Sequence, residues 1–374
     1  MLVGLIAPPW VAVPPPEYGG TEEVIDLLAR GLAKAGYGVV LFTTGDSTCA
    51  VPRRWVLPAA LGTTAPAMAE IRHVTHAYEE LAAYVDVIHD HTMFGPLYAE
   101  RVPEIPVVAT NHGLFDNHAI ELYSRAAARV AVVAISHSQR ASAPAVPIAR
   151  VIHHGVDVDA LRPQPEGGRG GYLAFLGRMS PDKGPHRAIA VARRAGLPLL
   201  IAAKMWEPDE RRYFERWVEP HLGCAVRYVG QIKPAQKRAF LGNAVALLNP
   251  IQWDEPFGLV MAEALACGTP VIAHPMGAAP EIIDDGVTGF LCADEDDMVD
   301  RVRSVGGLDR LECRNMAVAR FSAERMVADH VSLYETLMAG SPVPLHRDRR
   351  VYDRCARRQT PRSIRPGTHG SMIL

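Results

Sequence analysis

Two carboxylates stand close together in the stretch from Asn249 to Ala273, NPIQWDEPFGLVMAEALACGTPVIA. Glu255 follows an apolar strand and Pro250, in a loop that leads into a helix predicted to run from about Pro256 to Cys267. Glu263 lies eight positions further on, inside that almost wholly apolar helix. A buried carboxylate is costly unless a partner donates hydrogen bonds to it. Glu263 is therefore expected to have a ligand or an internal cation as its partner.

The start of this helix offers the opposite chemistry. Around Phe257, Gly258 and Leu259, backbone N–H groups and the positive end of the helix dipole can bind an anion. Gly258 lets a ligand approach the backbone closely. This anion-binding site lies beside two carboxylates that can accept hydrogen bonds from hydroxyl groups. The combination suits a ligand that contains both phosphate and a polyol, as a sugar nucleotide does. Taken alone, a solvated loop acid at Glu255 and an internal ion pair at Glu263 explain the pattern equally well.

Two cations form a second candidate site in GRMSPDKG, from Gly177 to Gly184, just after a predicted strand. Arg178 can grip a diphosphate through two N–H groups, and Lys183 can act as a point charge. In isolation such a pair is more often surface charge. If both bind a ligand, they can stabilise the charge that grows on a departing diphosphate without a metal ion.

The segment EPFGLVMAEALACGTPVIA resembles the Glu-x7-Glu motif of retaining glycosyltransferases of family 4 (glycosyltransferase group 1), which have the GT-B fold. GAAPEIIDDGVTGFL resembles the segment that follows this motif, and GRMSPDKG resembles the family's GR-x4-KG segment. The resemblance implies that Glu255 holds the sugar hydroxyls and Glu263 the ribose hydroxyls. Arg178 and Lys183 would hold the diphosphate, aided by the amides near Phe257.

The resemblance extends to the N-terminal half of the chain. His112 follows a predicted strand and matches the family's first-domain histidine near the transferred sugar, so we expect it to hydrogen-bond that sugar. Gly19 and Gly20 resemble the glycine loop that lies against donor phosphate and acceptor. His154, in HHGVDVD, stands where the family usually has asparagine.

Three patterns could suggest a metal site, and we interpret none of them so. The spacing of Asp157–Asp159 belongs to the linker-like HHGVDVD, and Asp294–Asp296 is an acidic helix start. His89 and His91 can point to the same face of a strand, where we expect them to line a cleft. The prediction is therefore no metal and no cofactor, with the nucleotide sugar as a substrate.

The elements that position these residues alternate between apolar strands and helices, which predicts parallel sheets covered on both faces. The fold class is α/β, with two doubly wound, Rossmann-like domains that face a central cleft, and ligands are expected at the carboxyl ends of the strands. No GxGxxG fingerprint is present, which disfavours an NAD dehydrogenase. The predicted units are two domains at 1–158 and 159–321, a C-terminal helix at 322–339 and a basic, disordered tail at 340–374. The resemblance implies that the first domain lies on the acceptor side, that the second binds the nucleotide sugar and that the helix crosses back to the first domain.

Composition narrows the class of protein. The chain has 374 residues, 48% hydrophobic and 21% charged, as in globular proteins. A net charge of −2 argues against a general nucleic-acid binder. The six cysteines show no metal-binding spacing, and neither a signal peptide nor a membrane span is evident, which favours a cytoplasmic protein. From residue 347 onward eight Arg and two Asp give 8 − 2 = +6, so peripheral contact with anionic lipid on the inner face of a membrane is an alternative to a solvated tail.

These observations predict a transferase that moves a hexosyl group from a nucleoside-diphosphate sugar to an acceptor hydroxyl on a glycan, glycolipid or small molecule. A sugar-nucleotide 2-epimerase of the same architecture and a non-catalytic sugar-nucleotide sensor are the alternatives. The loops at 8–18 and 115–128 are expected to select the acceptor.

Overall fold

The computed structural model describes residues 1–62, 66–165 and 167–340. Most of its strands are short, apolar and buried, those at the sheet edges are more exposed, and the strands pair in parallel. They are β1 Leu2–Ile6, β2 Gly38–Phe42, β3 Arg53–Arg54, β4 Val87–Asp90, β5 Val107–Thr110, β6 Ala131–Ala134, β7 Ile148–Val151, β8 Leu173–Arg178, β9 Leu199–Lys204, β10 Val226–Gly230, β11 Ala246–Asn249, β12 Val271–Ala273 and β13 Gly289–Leu291.

Helices cover both faces of the sheets and bury their apolar sides against them. They are α1 Gly20–Lys34, α2 Ala67–Leu81, α3 Asn117–Ala126, α4 His137–Ser142, α5 Pro185–Ala195, α6 Pro208–Trp217, α7 Pro234–Gly242, α8 Leu259–Ala266, α9 Ala279–Ile282, α10 Glu295–Ser304, α11 Arg310–Phe321 and α12 Ala323–Ala339.

The described strands form two sheets, one in each half of the chain. The first has the order β3-β2-β1-β4-β5-β6-β7 and the second the order β10-β9-β8-β11-β12-β13. The strand order therefore reverses between β1 and β4 in one sheet and between β8 and β11 in the other. Such switch points leave a crevice at the carboxyl ends of the strands, where ligands bind. The predicted α/β class with two doubly wound parallel sheets is confirmed.

The last helix, α12, returns to the first half of the chain. It packs against α1, where a Cβ on Gly31 would lie 2.5 Å from Cγ2 of Val327, so the glycine permits the close approach. Arg325 donates to the backbone carbonyl oxygens of His153 (2.6 Å) and His154 (3.1 Å). These contacts tie the end of the described chain to the segment that joins the two sheets.

Some details differ from the predictions. The central helix begins at Leu259 and not near Pro256, because Gly258 adopts the left-handed conformation and caps it. The apolar run at Val151–His153 predicts the last strand of the first half, whereas the structure places that strand at Ile148–Val151. Short elements such as α4 and α9 were not predicted, since too few residues carry their periodicity. The predicted basic tail lies almost entirely outside the described residues.

Candidate functional site

A cavity of about 470 Å³ lies between the two sheets at the carboxyl ends of their strands, within the usual size range of ligand sites. We call it the central cavity. All ten residues that were given a catalytic or donor-binding role from the sequence line it, from both halves of the chain: Gly19, Gly20, His112, Arg178, Lys183, Glu255, Phe257, Gly258, Leu259 and Glu263. The structure thus brings the predicted site residues together, and their roles remain predictions.

Glu255 is held by two donors from its own half of the chain. Lys183 forms a salt bridge with its Oε2 atom, and both side chains are 14% exposed. The indole Nε1–H of Trp253 donates to the same oxygen at 3.0 Å. The ammonium of Lys183 also lies 4.8 Å from the centroid of the Trp253 ring. Because both donors reach Oε2, Oε1 has the greater capacity to accept hydrogen bonds from hydroxyl groups of a ligand.

Arg178 lies beside this pair at the end of β8. Its guanidinium donates to Oδ2 of Asp182 at 3.1 Å and lies 5.9 Å from the centroid of the Trp253 ring. The side chain is 36% exposed, so most of its five N–H donors remain available to a ligand. Arg178 and Lys183 together form a cationic rim beside Glu255.

Glu263 has an internal cation as its partner. The Nζ atom of Lys237, on α7, lies 2.6 Å from Oε1 of Glu263 and 2.8 Å from Oε2 of Glu23 on α1. Burial alone would lower the pKa of Lys237, but the two carboxylates outweigh it and raise that pKa. Burial and the nearby charge of Glu263 raise the pKa of Glu23. This three-member network joins the two halves across the central cavity.

Two helices begin at the central cavity. The first turns of α1 and α8 lie there, and their leading N–H groups have no partners within the helices. Gly258 has φ +91°, and a Cβ there would lie 2.4 Å from Cε of Met261. A Cβ on Gly20 would lie 3.2 Å from Cδ1 of Leu259, so the helix starts approach each other. Phe257 is 2% exposed, so it contributes backbone groups rather than a ligand-facing ring.

A row of buried histidines stands behind His112. Its Nε2 lies 2.9 Å from Nδ1 of His91, and its Nδ1 lies 3.2 Å from Nε2 of His154. Burial lowers the pKa of His112 to about 3 and those of His91 and His154 well below the usual value, so the rings are neutral. A sugar hydroxyl that bonds to a ring nitrogen of His112 must therefore replace one of these contacts.

The prediction that His89 and His91 line the cleft is wrong. Both are buried, and His112 and His154 form that part of the cavity wall instead. His89 is fixed by the hydroxyl groups of Tyr334 (2.6 Å) and Thr110 (2.8 Å). His89 thus serves the packing of α12 against the first sheet.

Glu281, on α9, connects the second half of the chain to the first. Its Oε1 accepts from the backbone N–H of Ser138 at 2.7 Å, and its Oε2 accepts from that of His137 at 2.8 Å. Oε2 also lies 2.7 Å from Nε2 of His153. Burial would raise the pKa of Glu281, but these hydrogen bonds outweigh it and lower that pKa. We call this contact the Glu281 clamp.

Among the described residues, one group of side chains lies close enough together to hold a metal ion. It consists of Glu281, His137 and His153, which belong to the Glu281 clamp. The two aspartate pairs considered from the sequence have local structural partners. Asp157 accepts from the N–H groups of Asp159 and Ala160, and Asp294 caps α10 by accepting from Asp297.

Several cavity residues were missed from the sequence. Lys237, Trp253, Lys204 and Tyr18 line the central cavity, and burial raises the pKa of Tyr18 to about 12, which keeps its phenol protonated. Trp253 stands two positions before Glu255, so proximity to the motif could have indicated it. Lys237 lies in a helix with no motif, and only the tertiary fold brings it to Glu263.

Two facing parallel sheets with a polar cavity between them are the architecture of the GT-B glycosyltransferases. A solved structure of that kind, AviGT4, "a glycosyltransferase involved in Avilamycin A biosynthesis", is 26% identical to this chain with a TM-score of 0.69. The match covers 91% of this chain and 98% of AviGT4.

Two sequence families match adjoining parts of the chain. The family described as "Glycosyltransferase Family 4" matches residues 18–160, and the family described as "Glycosyl transferases group 1" matches residues 160–315. Together the two matches span residues 18–315, and the chain belongs to glycosyltransferase family 4.

Several curated relatives come from mycobacteria. A D-inositol 3-phosphate glycosyltransferase of Mycobacterium marinum is 32% identical over 205 residues, which is 49% of this chain and 41% of the relative. The chain thus spans less than half the length of that relative. A phosphatidyl-myo-inositol mannosyltransferase of Mycobacterium leprae is 25% identical over 386 residues, covering 92% of this chain and 99% of the relative. None of the helices in the described ranges is long and apolar enough to cross a membrane.

Proposed function

We propose that this glycosyltransferase takes a hexosyl group from a nucleoside-diphosphate sugar and passes it, with retention of anomeric configuration, to an acceptor hydroxyl, without a metal ion. One observation carries the proposal. Two cations, two carboxylates and two helix N-termini converge on the central cavity, so that groups suited to phosphate and groups suited to hydroxyls lie side by side. A sugar nucleotide carries both kinds of group, a diphosphate and two rings with hydroxyls.

The diphosphate would lie against Arg178, Lys183 and the start of α8. As the bond between sugar and phosphate breaks, negative charge grows on the departing diphosphate. Fixed cations and amide dipoles stabilise such charge more in a cavity of low dielectric constant than in water. Lys183 is already aligned by Glu255 and Trp253, so little reorganisation is needed at that moment. These groups can do what a divalent ion does in metal-dependent transferases.

The two glutamates would hold the two sugar rings of the donor. Glu255, next to Lys183, is placed for hydroxyls of the transferred sugar, and Glu263, next to Lys237, for those of ribose. Both carboxylates are already hydrogen-bonded to a lysine, so their charge is compensated before the donor arrives. Retention rests on the resemblance of the Glu-x7-Glu segment to retaining family 4 enzymes.

A transfer assay in EDTA tests the proposal. The donors are UDP-, GDP-, ADP- and dTDP-hexoses with a mixed set of acceptors, and NMR of the product gives its anomeric configuration. Transfer from one donor with retention supports the proposal. Conversion of the donor to its 2-epimer without acceptor identifies an epimerase, and binding without turnover identifies a sensor. Glu255→Gln should abolish most turnover, whereas Glu324→Gln, in an exposed salt bridge on α12, should not.

A further inference from the structure

A second cavity, of about 310 Å³, lies between the loop after β1 and the start of α6. Trp10, Pro16 and Asp46 line it from the first half of the chain, and Trp206 and Glu207 from the second. We call it the tryptophan cavity. It adjoins the central cavity, because Pro16 lines one and its neighbours Glu17 and Tyr18 line the other. A molecule bound here would lie next to the proposed donor site.

Both tryptophans present ring surface rather than hydrogen-bond donors. The indole N–H of Trp10 donates to Oε2 of Glu70 at 3.2 Å, and that of Trp206 donates to Oε1 of Gln231 at 2.9 Å. Trp206 still has 44% of its surface exposed. The ammonium of Lys204 lies 4.6 Å from its ring centroid and fixes the ring further. Oriented aromatic faces of this kind pack against the C–H faces of sugar and polyol rings.

The charge of the tryptophan cavity is negative. Asp46 and Glu207 contribute carboxylates, and its described lining contains no lysine or arginine. Gly62, at its rim, precedes the undescribed residues 63–65, whose sequence Thr-Thr-Ala has no ionisable side chain. Lys204 lines the central cavity, where its Nζ lies 3.5 Å from Oε1 of Glu210. A phosphate group in the tryptophan cavity would meet the two carboxylates, and Lys204, the cation beside Trp206, is already paired with Glu210.

We propose that the tryptophan cavity is the acceptor subsite and that it takes an uncharged sugar or polyol ring in preference to a phosphorylated one. The inference rests on the proposed transferase function. Carboxylates accept hydrogen bonds from ring hydroxyls, while the tryptophans cover the apolar ring face. This specificity separates the chain from the M. marinum relative, whose name gives D-inositol 3-phosphate as its acceptor.

The test uses the full chain, the donor found in the transfer assay and matched acceptor pairs. The pairs are myo-inositol with myo-inositol 3-phosphate, glucose with glucose 6-phosphate, and maltose with maltose 1-phosphate. We expect kcat/KM to be about tenfold or more higher for the neutral member of each pair, which is the effect expected of one unfavourable charge–charge contact. Preference for the phosphorylated members, or transfer to neither member of any pair, overturns the inference.

Variants locate the effect. Trp206→Ala should raise the acceptor KM by about tenfold and leave the donor KM within about twofold, and Trp206→Phe should restore most of the loss. Glu207→Gln should narrow the discrimination against phosphorylated acceptors. An unchanged acceptor KM in Trp206→Ala contradicts the assignment. Hydrolysis of the donor, measured in parallel, distinguishes failure of the transferase proposal from failure of the acceptor inference. If no donor is consumed, the transferase proposal fails. If donor is consumed but phosphorylated acceptors are preferred, only the acceptor inference fails.

Discussion

Glu23 and Glu263, from opposite halves of the chain, bind the same ammonium group, that of Lys237. Glu263 belongs to the motif that suggested the ribose site, and Glu23 lies in the first turn of α1. The network therefore links the proposed donor site to the contact between the two halves. Its integrity should affect both stability and nucleotide binding.

Lys237→Met tests that link. The change leaves two neighbouring carboxylates without their cation, and we expect a loss of about 3 kcal/mol in the free energy of unfolding, with weaker nucleotide binding. Urea unfolding and calorimetric titration measure the two effects. Lys34→Met is the matched control, because Lys34 pairs with Glu324 at the surface and its loss should cost less than about 0.5 kcal/mol. Equal effects of the two variants would contradict the account.

Lys183 and Glu255 should separate binding from turnover. Lys183→Met removes a charge from the proposed diphosphate site, so the Kd of the nucleoside diphosphate should rise by about tenfold or more. Glu255→Gln keeps the size of the side chain and should lower kcat by about a hundredfold with a much smaller change in nucleotide Kd. If Glu255→Gln changes only the melting temperature, the carboxylate is structural.

Gly258→Ala should harm both folding and binding. Gly258 has φ +91°, and the new methyl group would meet the end of Met261 at 2.4 Å. We expect the roughly 1–2 kcal/mol of left-handed strain plus the cost of moving the buried end of Met261, together with weaker nucleotide binding, because the added Cβ also lies 3.3 Å from Cγ of Glu255. Gly36→Ala is the control, since Gly36 has φ +88° with no atom within 4 Å of the added Cβ. It should show the strain alone.

The Glu281 clamp should make the contact between the halves sensitive to acid. The pKa of Glu281 is lowered in the folded state, so its stabilising contribution is complete above the unfolded pKa near 4.5 and is lost as pH falls through the folded pKa. Glu281→Gln should destabilise the chain at pH 7 and flatten the stability profile below pH 4.5. Urea unfolding of the wild type and the variant across pH 3–7 measures this difference, and parallel profiles would contradict the role.

The buried histidines should cause instability in milder acid. Burial lowers the pKa of His112 to about 3 and that of His330 to about 4, from an unfolded value near 6.5. Below pH 6.5 the unfolded chain takes up protons that the folded chain refuses, so stability falls by up to about 1.4 kcal/mol per pH unit for each such ring. We expect the melting temperature to drop steeply between pH 6.5 and 5. A constant melting temperature over this range would mean that the rings titrate normally.

Site residues could be predicted from the sequence where a charged side chain lies at or just after the end of a predicted strand. Glu255, Glu263, Arg178 and Lys183 all reach the central cavity, because Arg178 ends β8 and the other three follow β8 or β11, the strands at the switch point of the second sheet. The helix begins later than predicted because Gly258 is left-handed, and the spacing of apolar residues does not reveal such a backbone conformation.

Contacts between segments that are distant in the chain could not be predicted from the sequence. The partner of Glu263 is Lys237, and the row through His91, His112 and His154 joins three separate segments. The tryptophan cavity needs both halves of the chain, and its aromatic residues carry no motif. Of the two loops expected to select the acceptor, the one at 8–18 contributes to this cavity, and its described lining contains no residue of 115–128.

Nucleotide binding to the central cavity tests the central claim most directly. Thermal unfolding is measured in EDTA with UDP, GDP, ADP, dTDP and NAD in parallel. A ligand at a hundred times its Kd adds about 2.7 kcal/mol, or roughly 2 °C or more in a chain of this size. The account predicts that one nucleoside diphosphate raises the melting temperature of the wild type and does so much less for Lys183→Met. A shift with NAD alone, or no shift with any nucleoside diphosphate, would contradict it.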